Sequence, residues 1–153
     1  SAWDRQREEN YICEEVVRQS GIMHDINPGT CNTLRVNVFN INKNPKIVDP
    51  IFRVGKGDSV VDNFSQGGYA MMIDEVSGKV WTNAMNIHGK RFTKHPDNGI
   101  DFKGLEIPCW DEIVELAKNA ANIIYDVPYT SWDICAFSGG GGINYRRQYI
   151  WRC

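Results

Sequence analysis

The stretch CNTLRV at residues 31–36 decides how this chain folds, together with two others that follow it. The second is FRVGKGDSVVDNFSQGG at residues 52–68, and the third is TSWDI at residues 130–134. Each places a polar or charged residue in or beside an apolar run that is typical of a β-strand. Because successive side chains of a strand point to opposite faces, Arg35 is expected to point away from the core.

Outward from these stretches, the pattern predicts a mainly antiparallel sheet. Residues 33–54 predict a hairpin, because two apolar runs flank the turn residues NKNP at 42–45. The segments 18–30 and 88–109 are predicted to be irregular. Further strands are predicted at residues 11–17, 69–74, 80–87 and 130–137.

One helix is predicted at about residues 111–124, where apolar residues recur along a single stripe. Asp111 and Glu112 fall in its first turn, where the helix dipole favours negative charge, and Pro128 follows its end. No internal repeat is visible. The fold class is therefore α+β, with a mainly antiparallel sheet, one main helix and a single domain over residues 1–153.

Composition narrows the function classes. The chain has 153 residues, 42% apolar and 24% charged, and its net charge of −2 predicts no nucleic-acid partner. No apolar run approaches the ~20 residues that span a bilayer, so no membrane partner is expected. Five cysteines without C-x-x-C spacing predict a reducing cytoplasm, and three histidines without ligand spacing disfavour zinc.

The glycine-bearing segment at residues 55–68 has two interpretations. Its glycine spacing differs from a Walker A loop, so a plain turn with Lys56 in solvent is one of them. The other is an anion-binding loop, because glycines such as Gly67 and Gly68 let backbone N–H groups approach an anion closely.

Five further residues also have two interpretations. Arg35 is either a solvent-facing strand arginine or a clamp for a phosphate group. Asp133 is either a strand-end carboxylate or a metal ligand, because an ionised carboxylate in an apolar strand needs a partner. His95 is either a surface-loop residue or a substrate contact. Glu14 and Glu15 are either strand-edge charges or contacts to a ligand.

In order and spacing, the three stretches resemble the C-terminal part of the ATP-grasp superfamily, and most closely its sugar-transfer-associated branch. The resemblance covers roughly residues 10–135 and includes the patterns V-V-D-N-x-x-x-G-G and H-P-x-x-G. It implies an ATP- and Mg²⁺-dependent ligase, in which ATP phosphorylates a carboxylate and a nucleophile then displaces phosphate. The branch is associated with polysaccharide and sugar-transfer pathways, and some members carry the label hexapeptide transferase.

The resemblance also implies roles for individual residues. Glu14 and Glu15 would bind the adenosine edge of ATP, and Asp133 would bind Mg²⁺. The other implied catalytic residues are Arg35, Arg53, Asn63 and His95, and the other implied cofactor-binding residues are Asn32, Lys56, Gly67 and Gly68.

Two departures from the family pattern lead us to expect an incomplete site. Family members are longer, and their N-terminal part supplies the lid and lysines that cover the phosphates. The family has a Glu-x-Asn strand after the position of Asp133, whereas the atypical tail at residues 138–153 contains no acidic residue and carries Arg146 and Arg147. Arginines oppose cation binding, so ATP and Mg²⁺ are expected to bind weakly or not at all to this chain alone, without turnover. The two departures indicate either a truncated or frame-disrupted product or a natural remnant.

Three functional hypotheses follow. The first is a partial ATP-grasp ligase that binds a nucleotide and an unknown small-molecule carboxylate or sugar-linked acceptor. The second is a non-catalytic interaction module that forms a homo-oligomer through an open sheet edge. The third is a sugar or acyl transferase.

Overall fold

The computed structural model describes residues 18–19, 21–57, 62 and 64–136. Two helices are present in these residues, α1 (Ile22–Asp25) and α2 (Trp110–Ile123), with a 3-10 turn at Phe64–Gln66. The strands are β1 (Thr33–Ile41), β2 (Asn44–Val54), β3 (Tyr69–Met72), β4 (Ala84–Met85), β5 (Arg91–Phe92) and β6 (Tyr129–Ile134).

The six strands form one open sheet in the order β5-β4-β3-β2-β1-β6. Every neighbouring pair is antiparallel, and α2 is the one main helix. The predicted α+β class with a mainly antiparallel sheet is therefore confirmed. No helix in the described part of the chain is long and apolar enough to cross a membrane.

The predicted hairpin at residues 33–54 is present as β1 and β2. Its two turn residues, Asn42 and Lys43, both have left-handed backbone angles, with φ of 55° and 59°. A two-residue turn of this hand matches the right-handed twist of the strands that it connects. The tight turn sets the register of the pairs nearest to it, such as Asn37 opposite Val48. Further from the turn, Thr33 lies opposite Arg53 and Arg35 lies opposite Ile51.

One irregularity interrupts this hairpin. Arg35 pairs with Ile51, but Asn37 pairs with Val48, so β2 carries one extra residue between these two pairs. Asp49 accommodates it with a φ of 46°, and its carbonyl oxygen accepts a hydrogen bond from Asn37 Nδ2 at 3.0 Å. Such a bulge bends the strand and increases its local twist.

The predicted strand at residues 80–87 is shorter than expected. A single bridge joins Ile73 to Val80, and regular pairing resumes only at β4. Between them, the backbone N–H of Met72 donates to the Thr82 hydroxyl at 2.9 Å, which replaces a ladder hydrogen bond.

Short elements also appear where irregular structure was expected. The segment predicted to be irregular at residues 88–109 contains β5, and that at 18–30 contains α1. The predicted strand at residues 11–17 lies outside the described residues.

The core lies between the sheet and α2. Leu34, Val36 and Val38 alternate along β1 and are fully buried. They pack in one cluster with Ile113 and Ala117 on the apolar stripe of α2, which begins and ends one residue earlier than predicted. Because the helix covers one face only, the alternate residues of β1 point to a second, more open face of the sheet.

We predict that Gly78→Ala destabilises the fold much more than Gly89→Ala. Both glycines have left-handed angles, with φ of 69° and 74°. A methyl group at Gly78 would lie 2.5 Å from Trp110 Cγ, whereas nothing lies within 4 Å at Gly89. Strain alone should lower the free energy of unfolding by about 1 kcal/mol in Gly89→Ala, and overlap with Trp110 should raise the loss to about 2–4 kcal/mol in Gly78→Ala. Urea denaturation measures both, and equal losses would contradict the packing.

Candidate functional site

Two arginines and two aspartates meet on the open face of the sheet. Arg35 comes from β1, Arg53 from β2 and Asp133 from β6, while Asp62 lies in the segment that precedes β3. The strand register brings them together, because Arg35 lies directly opposite Asp133 on the neighbouring strand. We call these four residues the Arg–Asp cluster.

Arg35 and Asp133 form a two-point ion pair across β1 and β6. Arg35 Nε donates to Asp133 Oδ1 at 2.8 Å, and Arg35 Nη2 donates to Asp133 Oδ2 at 2.7 Å. This parallel arrangement uses the planar geometry of both groups, which is the strongest form of such a pair. It holds the guanidinium of Arg35 in one orientation, while the side chain remains 43% exposed.

Arg53 bridges the two carboxylates. Its Nη1 donates to Asp133 Oδ2 at 3.1 Å, and its Nη2 donates to Asp62 Oδ1 at 3.0 Å. Arg53 is only 8% exposed. A buried charge of this kind is stable only when opposite charges and hydrogen bonds compensate it, so the two aspartates are required where they are.

Asp62 is held by the start of β1 as well as by Arg53. The backbone N–H of Thr33 donates to Asp62 Oδ2 at 3.1 Å, and the Thr33 hydroxyl donates to the same oxygen. Asp62 is 7% exposed. Both of its carboxylate oxygens therefore accept hydrogen bonds within the fold.

The two aspartates differ in the direction of their pKa shifts. Burial raises the pKa of Asp62 above its ordinary value, despite the opposing hydrogen bond from Thr33 and the charge of Arg53. Burial also acts to raise the pKa of Asp133, but the hydrogen bonds and charges of Arg35 and Arg53 outweigh it and lower that pKa. The hydrogen bond with Asp133 in turn raises the pKa of Arg35.

The residues present do not fit a magnesium site in this arrangement. Both oxygens of Asp133 face guanidinium groups of Arg35 and Arg53, which would repel a cation. Among the described residues, no group of three or more His, Cys, Asp or Glu side chains could hold a metal ion. The role of Asp133 as a magnesium ligand stays a prediction.

Asn32 is fully buried and holds the loop that follows β2. Its Nδ2 donates to the carbonyl oxygens of Met23 at 2.7 Å and Asn27 at 3.1 Å. Its Oδ1 accepts a hydrogen bond from the backbone N–H of Gly55 at 3.1 Å. The side-chain amide is thus satisfied by the backbone of the protein itself.

His95 supports the same loop from the other side. The backbone N–H of Asp97 donates to His95 Nδ1 at 3.3 Å, so Nε2 carries the ring proton and donates to the Gly55 carbonyl oxygen at 3.2 Å. The ring is 2% exposed and packs edge-on against Tyr69 and Phe102. Both ring nitrogens are therefore engaged, and a catalytic role for His95 stays a prediction.

Lys56 is an exposed residue of the loop that Asn32 and His95 hold. The loop continues to Gly57, whose N–H donates to Asp97 Oδ2 at 2.8 Å. The Lys56 side chain lies beside Gly67, which ends the 3-10 turn with a φ of 96°. The next residue, Gly68, is buried at the start of β3.

Glu14, Glu15 and Asn63 lie outside the described residues, as does the tail at residues 138–153. The structure therefore brings Arg35, Arg53 and Asp133 into one cluster and places Asn32 and His95 beneath the neighbouring loop.

Asp62 belongs to the cluster and Thr33 donates hydrogen bonds to it, but neither residue was among those predicted as the site. One signal for Asp62 was present, because an aspartate directly after two valines needs a partner if the apolar run is buried. The polar face also extends beyond the cluster. Asn37 Oδ1 accepts hydrogen bonds from the Tyr129 hydroxyl at 3.1 Å and the Ser131 hydroxyl at 2.9 Å.

The fold and the site define an α+β domain whose open antiparallel sheet carries ion-paired arginines on one face. The family model described as sugar-transfer associated ATP-grasp matches residues 5–142 of this chain. The chain therefore belongs to the sugar-transfer associated ATP-grasp family, as its motifs indicated. ATP-grasp proteins generally bind ATP and Mg²⁺. No curated protein and no solved structure matches the chain.

We predict opposite effects of Asp133→Asn and Asp62→Asn on the acid side of the stability profile. The lowered pKa of Asp133 contributes stability that is present above its ordinary value of 3.8 and is lost as pH falls. The raised pKa of Asp62 contributes stability that is present at low pH and is lost as pH rises. Asp133→Asn should therefore flatten the fall in unfolding free energy from pH 7 to about pH 3, and Asp62→Asn should steepen it.

At pH 7, Asp133→Asn should also lower the free energy of unfolding by about 2 kcal/mol, because charged hydrogen bonds to both arginines are lost. Urea denaturation across this pH range gives both quantities for each variant. Slopes that change in the same direction in the two variants would contradict the assigned pKa shifts.

Proposed function

We propose that the Arg–Asp cluster lies on the phosphate-binding side of an ATP-grasp nucleotide site. In the full reaction, ATP would activate a small-molecule carboxylate for transfer to a sugar-linked or other acceptor in a sugar-transfer or polysaccharide pathway. Membership of the family supports the binding of a nucleotide, and the geometry of Arg35 supports a contact between its guanidinium and a phosphate group.

The observation that carries the proposal is that Asp133 holds the guanidinium of Arg35 in place while one of its nitrogens still has N–H groups to donate. Its Nε and Nη2 are used by Asp133, whereas its Nη1 makes no hydrogen bond within the described residues. A guanidinium that is fixed by one carboxylate and open on another edge is prepared to bind a phosphate oxygen without reorganising. Arg53, which is buried, fixes Asp133 and so acts as a positioning residue.

Lys56 is the second phosphate contact in this proposal. The N–H groups on either side of it, at Gly55 and Gly57, already donate to Asn32 and Asp97. The glycines therefore shape the loop, and the exposed ammonium group of Lys56 is the part of it that can reach an anion. Asn32 and His95 position the loop through their hydrogen bonds to Gly55.

We further propose that this chain alone does not turn over ATP. Asp133 is held by two guanidinium groups, so a magnesium ion that accompanies the nucleotide would gain little from this carboxylate. Mg²⁺ normally uses one or two carboxylates besides phosphate oxygens and water. The cytoplasmic location, the carboxylate substrate and the acceptor remain predictions.

Titration of Mg-ATP by calorimetry tests the nucleotide site, with Arg35→Ala compared against Arg91→Ala. Arg91 is an exposed arginine on β5, so the control removes the same charge away from the cluster. Arg35→Ala should raise the Kd at least ~10-fold, equivalent to about 1.4 kcal/mol, and Arg91→Ala should leave it unchanged. Arg35→Lys should behave like Arg35→Ala, because it keeps the charge and loses the fork.

Equal affinity in the wild type and Arg35→Ala would show that ATP does not contact this face. No heat at millimolar ATP would overturn binding by this chain. Circular dichroism of each variant confirms that the fold is intact.

A second candidate is self-association, and an exposed apolar patch favours it. Phe39, Ile41 and Tyr129 lie on the open face near the end of the hairpin, and they are 43%, 62% and 48% exposed. The rings of Phe39 and Tyr129 contact each other with centroids 5.0 Å apart. The patch borders β6, which is an edge strand among the described strands, and exposed apolar surface at an edge favours pairing with a second copy.

Sedimentation velocity over a concentration series tests this candidate. If the patch forms the interface, Ile41→Glu should weaken association at least ~10-fold, because it buries a charge against apolar surface. Val76→Glu is the matched control, since Val76 is 87% exposed in a different turn. A wild-type chain that stays monomeric at high concentration would exclude the candidate.

A further inference from the structure

Two cysteines that are far apart in the sequence meet beside the Arg–Asp cluster. Cys31 precedes β1 and Cys135 follows β6, and 104 positions separate them. Because β1 pairs with β6 up to Leu34 opposite Ile134, the start of β1 and the end of β6 lie side by side. The Sγ atoms of Cys31 and Cys135 are 2.9 Å apart, and both cysteines are free thiols.

The buried side chain of Gln19 connects the start of β1 to the end of β6. Gln19 Nε2 donates to the carbonyl oxygens of Asn32 at 2.8 Å and Ala136 at 3.0 Å, and Gln19 Oε1 accepts from the N–H of Asn32 at 2.7 Å. Asn32 and Ala136 are the residues next to Cys31 and Cys135. Gln19 Nε2 also donates to Cys135 Sγ at 3.2 Å, so the thiols are held at contact distance by the fold.

The two thiols have unequal environments. Cys135 is buried, whereas Cys31 is only partly buried and can be reached from solvent. A hydrogen bond from the Cys135 thiol lowers the pKa of Cys31, although burial and the charge of Asp62 oppose this shift. The same contact with Cys31 raises the pKa of Cys135. The thiolate is the reactive form of cysteine, so Cys31 is suited to react first.

We propose that Cys31 and Cys135 form a thiol modification site, at which a hydroperoxide converts the pair into an intramolecular disulfide. This inference is independent of nucleotide binding. It requires a peroxide as the oxidant and no other co-reactant.

The reaction balances in two steps. The Cys31 thiolate attacks one peroxide oxygen, the O–O bond breaks, and Cys31 becomes a sulfenic acid while hydroxide leaves and is protonated to water. The Cys135 sulfur then attacks the Cys31 sulfur, the S–S bond forms, the S–O bond breaks, and a second water leaves with the Cys135 proton. The two thiols together lose two electrons and two protons, and one hydrogen peroxide becomes two waters.

The disulfide would tie the start of β1 to the end of β6. These ends carry Thr33 and Asp133, which are hydrogen-bonded to Asp62 and to the arginines of the cluster. A covalent link here would limit separation of β6 from β1 at the cluster. A dithiol reductant would restore both thiols by exchange.

Peptide mapping of the intact chain tests the proposal. The folded protein is treated with a small excess of hydrogen peroxide, alkylated, and digested with trypsin without reduction. Trypsin cleaves after Lys and Arg, so Cys31 falls in the peptide at residues 19–35, Cys135 in 119–146 and Cys109 in 104–118, one cysteine in each. The expected product is the first two peptides joined, at the sum of their masses less two hydrogens, with Cys109 alkylated.

Variants separate the roles of the two sulfurs. Cys135→Ser should abolish the joined peptide and leave a Cys31 sulfenic acid that dimedone traps, whereas Cys31→Ser should give neither product. Gln19→Ala should slow disulfide formation several-fold, because the start of β1 and the end of β6 are no longer connected by its hydrogen bonds. Cys109→Ser, which changes another partly buried cysteine, should leave the rate unchanged.

Three results would overturn the proposal. The first is the absence of the joined peptide at excess peroxide. The second is oxidation of Cys31 and Cys109 at the same rate. The third is joining that is as fast in concentrated urea as in the folded chain, because the proposal depends on thiols that the fold brings into contact.

Discussion

The bridge that Arg53 makes between Asp62 and Asp133 is the constraint on which the rest of the polar face depends. It joins β2, β6 and the segment before β3 through one buried guanidinium. Because the charge is out of water, both carboxylates must stay close to it, and each then fixes a further group. Asp133 fixes Arg35, and Asp62 fixes the start of β1 through Thr33. The orientation of the exposed Arg35 side chain therefore depends on the buried charge of Arg53.

The elements that the sequence predicted well are those with a clear period. The hairpin at residues 33–54 has alternating apolar residues and turn chemistry, and α2 has one apolar stripe, so local patterns were sufficient. Alternation also placed Arg35 on the face away from the core. The match to the sugar-transfer associated ATP-grasp family agrees with the order of motifs along the chain.

What the sequence could not supply are the contacts between distant segments. Aspartate tolerates left-handed angles better than most residues, but the bulge at Asp49 is defined only by the pairing of β2 with β1. The hydrogen bond from Met72 to Thr82, which precedes the short β4, is likewise a contact between separate segments. The same limit applies to Cys31 and Cys135, whose separation of 104 positions hides their contact. Residues such as Asn32 are hard to judge for a further reason. A buried asparagine can hydrogen-bond either to the backbone or to a ligand, and the sequence is the same in both cases. Only the hydrogen-bond partners in the structure distinguish them.

Under the proposed function, the formal charge of the Arg–Asp cluster also affects how fast a nucleotide would associate with it. Two arginines and two aspartates cancel in formal charge, and the whole chain carries only −2. Such a surface projects little electrostatic potential beyond its first contacts, so it does not accelerate the diffusional encounter with an anion. Capture would then depend on short-range fit once the phosphate touches Arg35. The association rate would accordingly respond little to ionic strength, and discrimination among anions would appear mainly in how long each one stays bound.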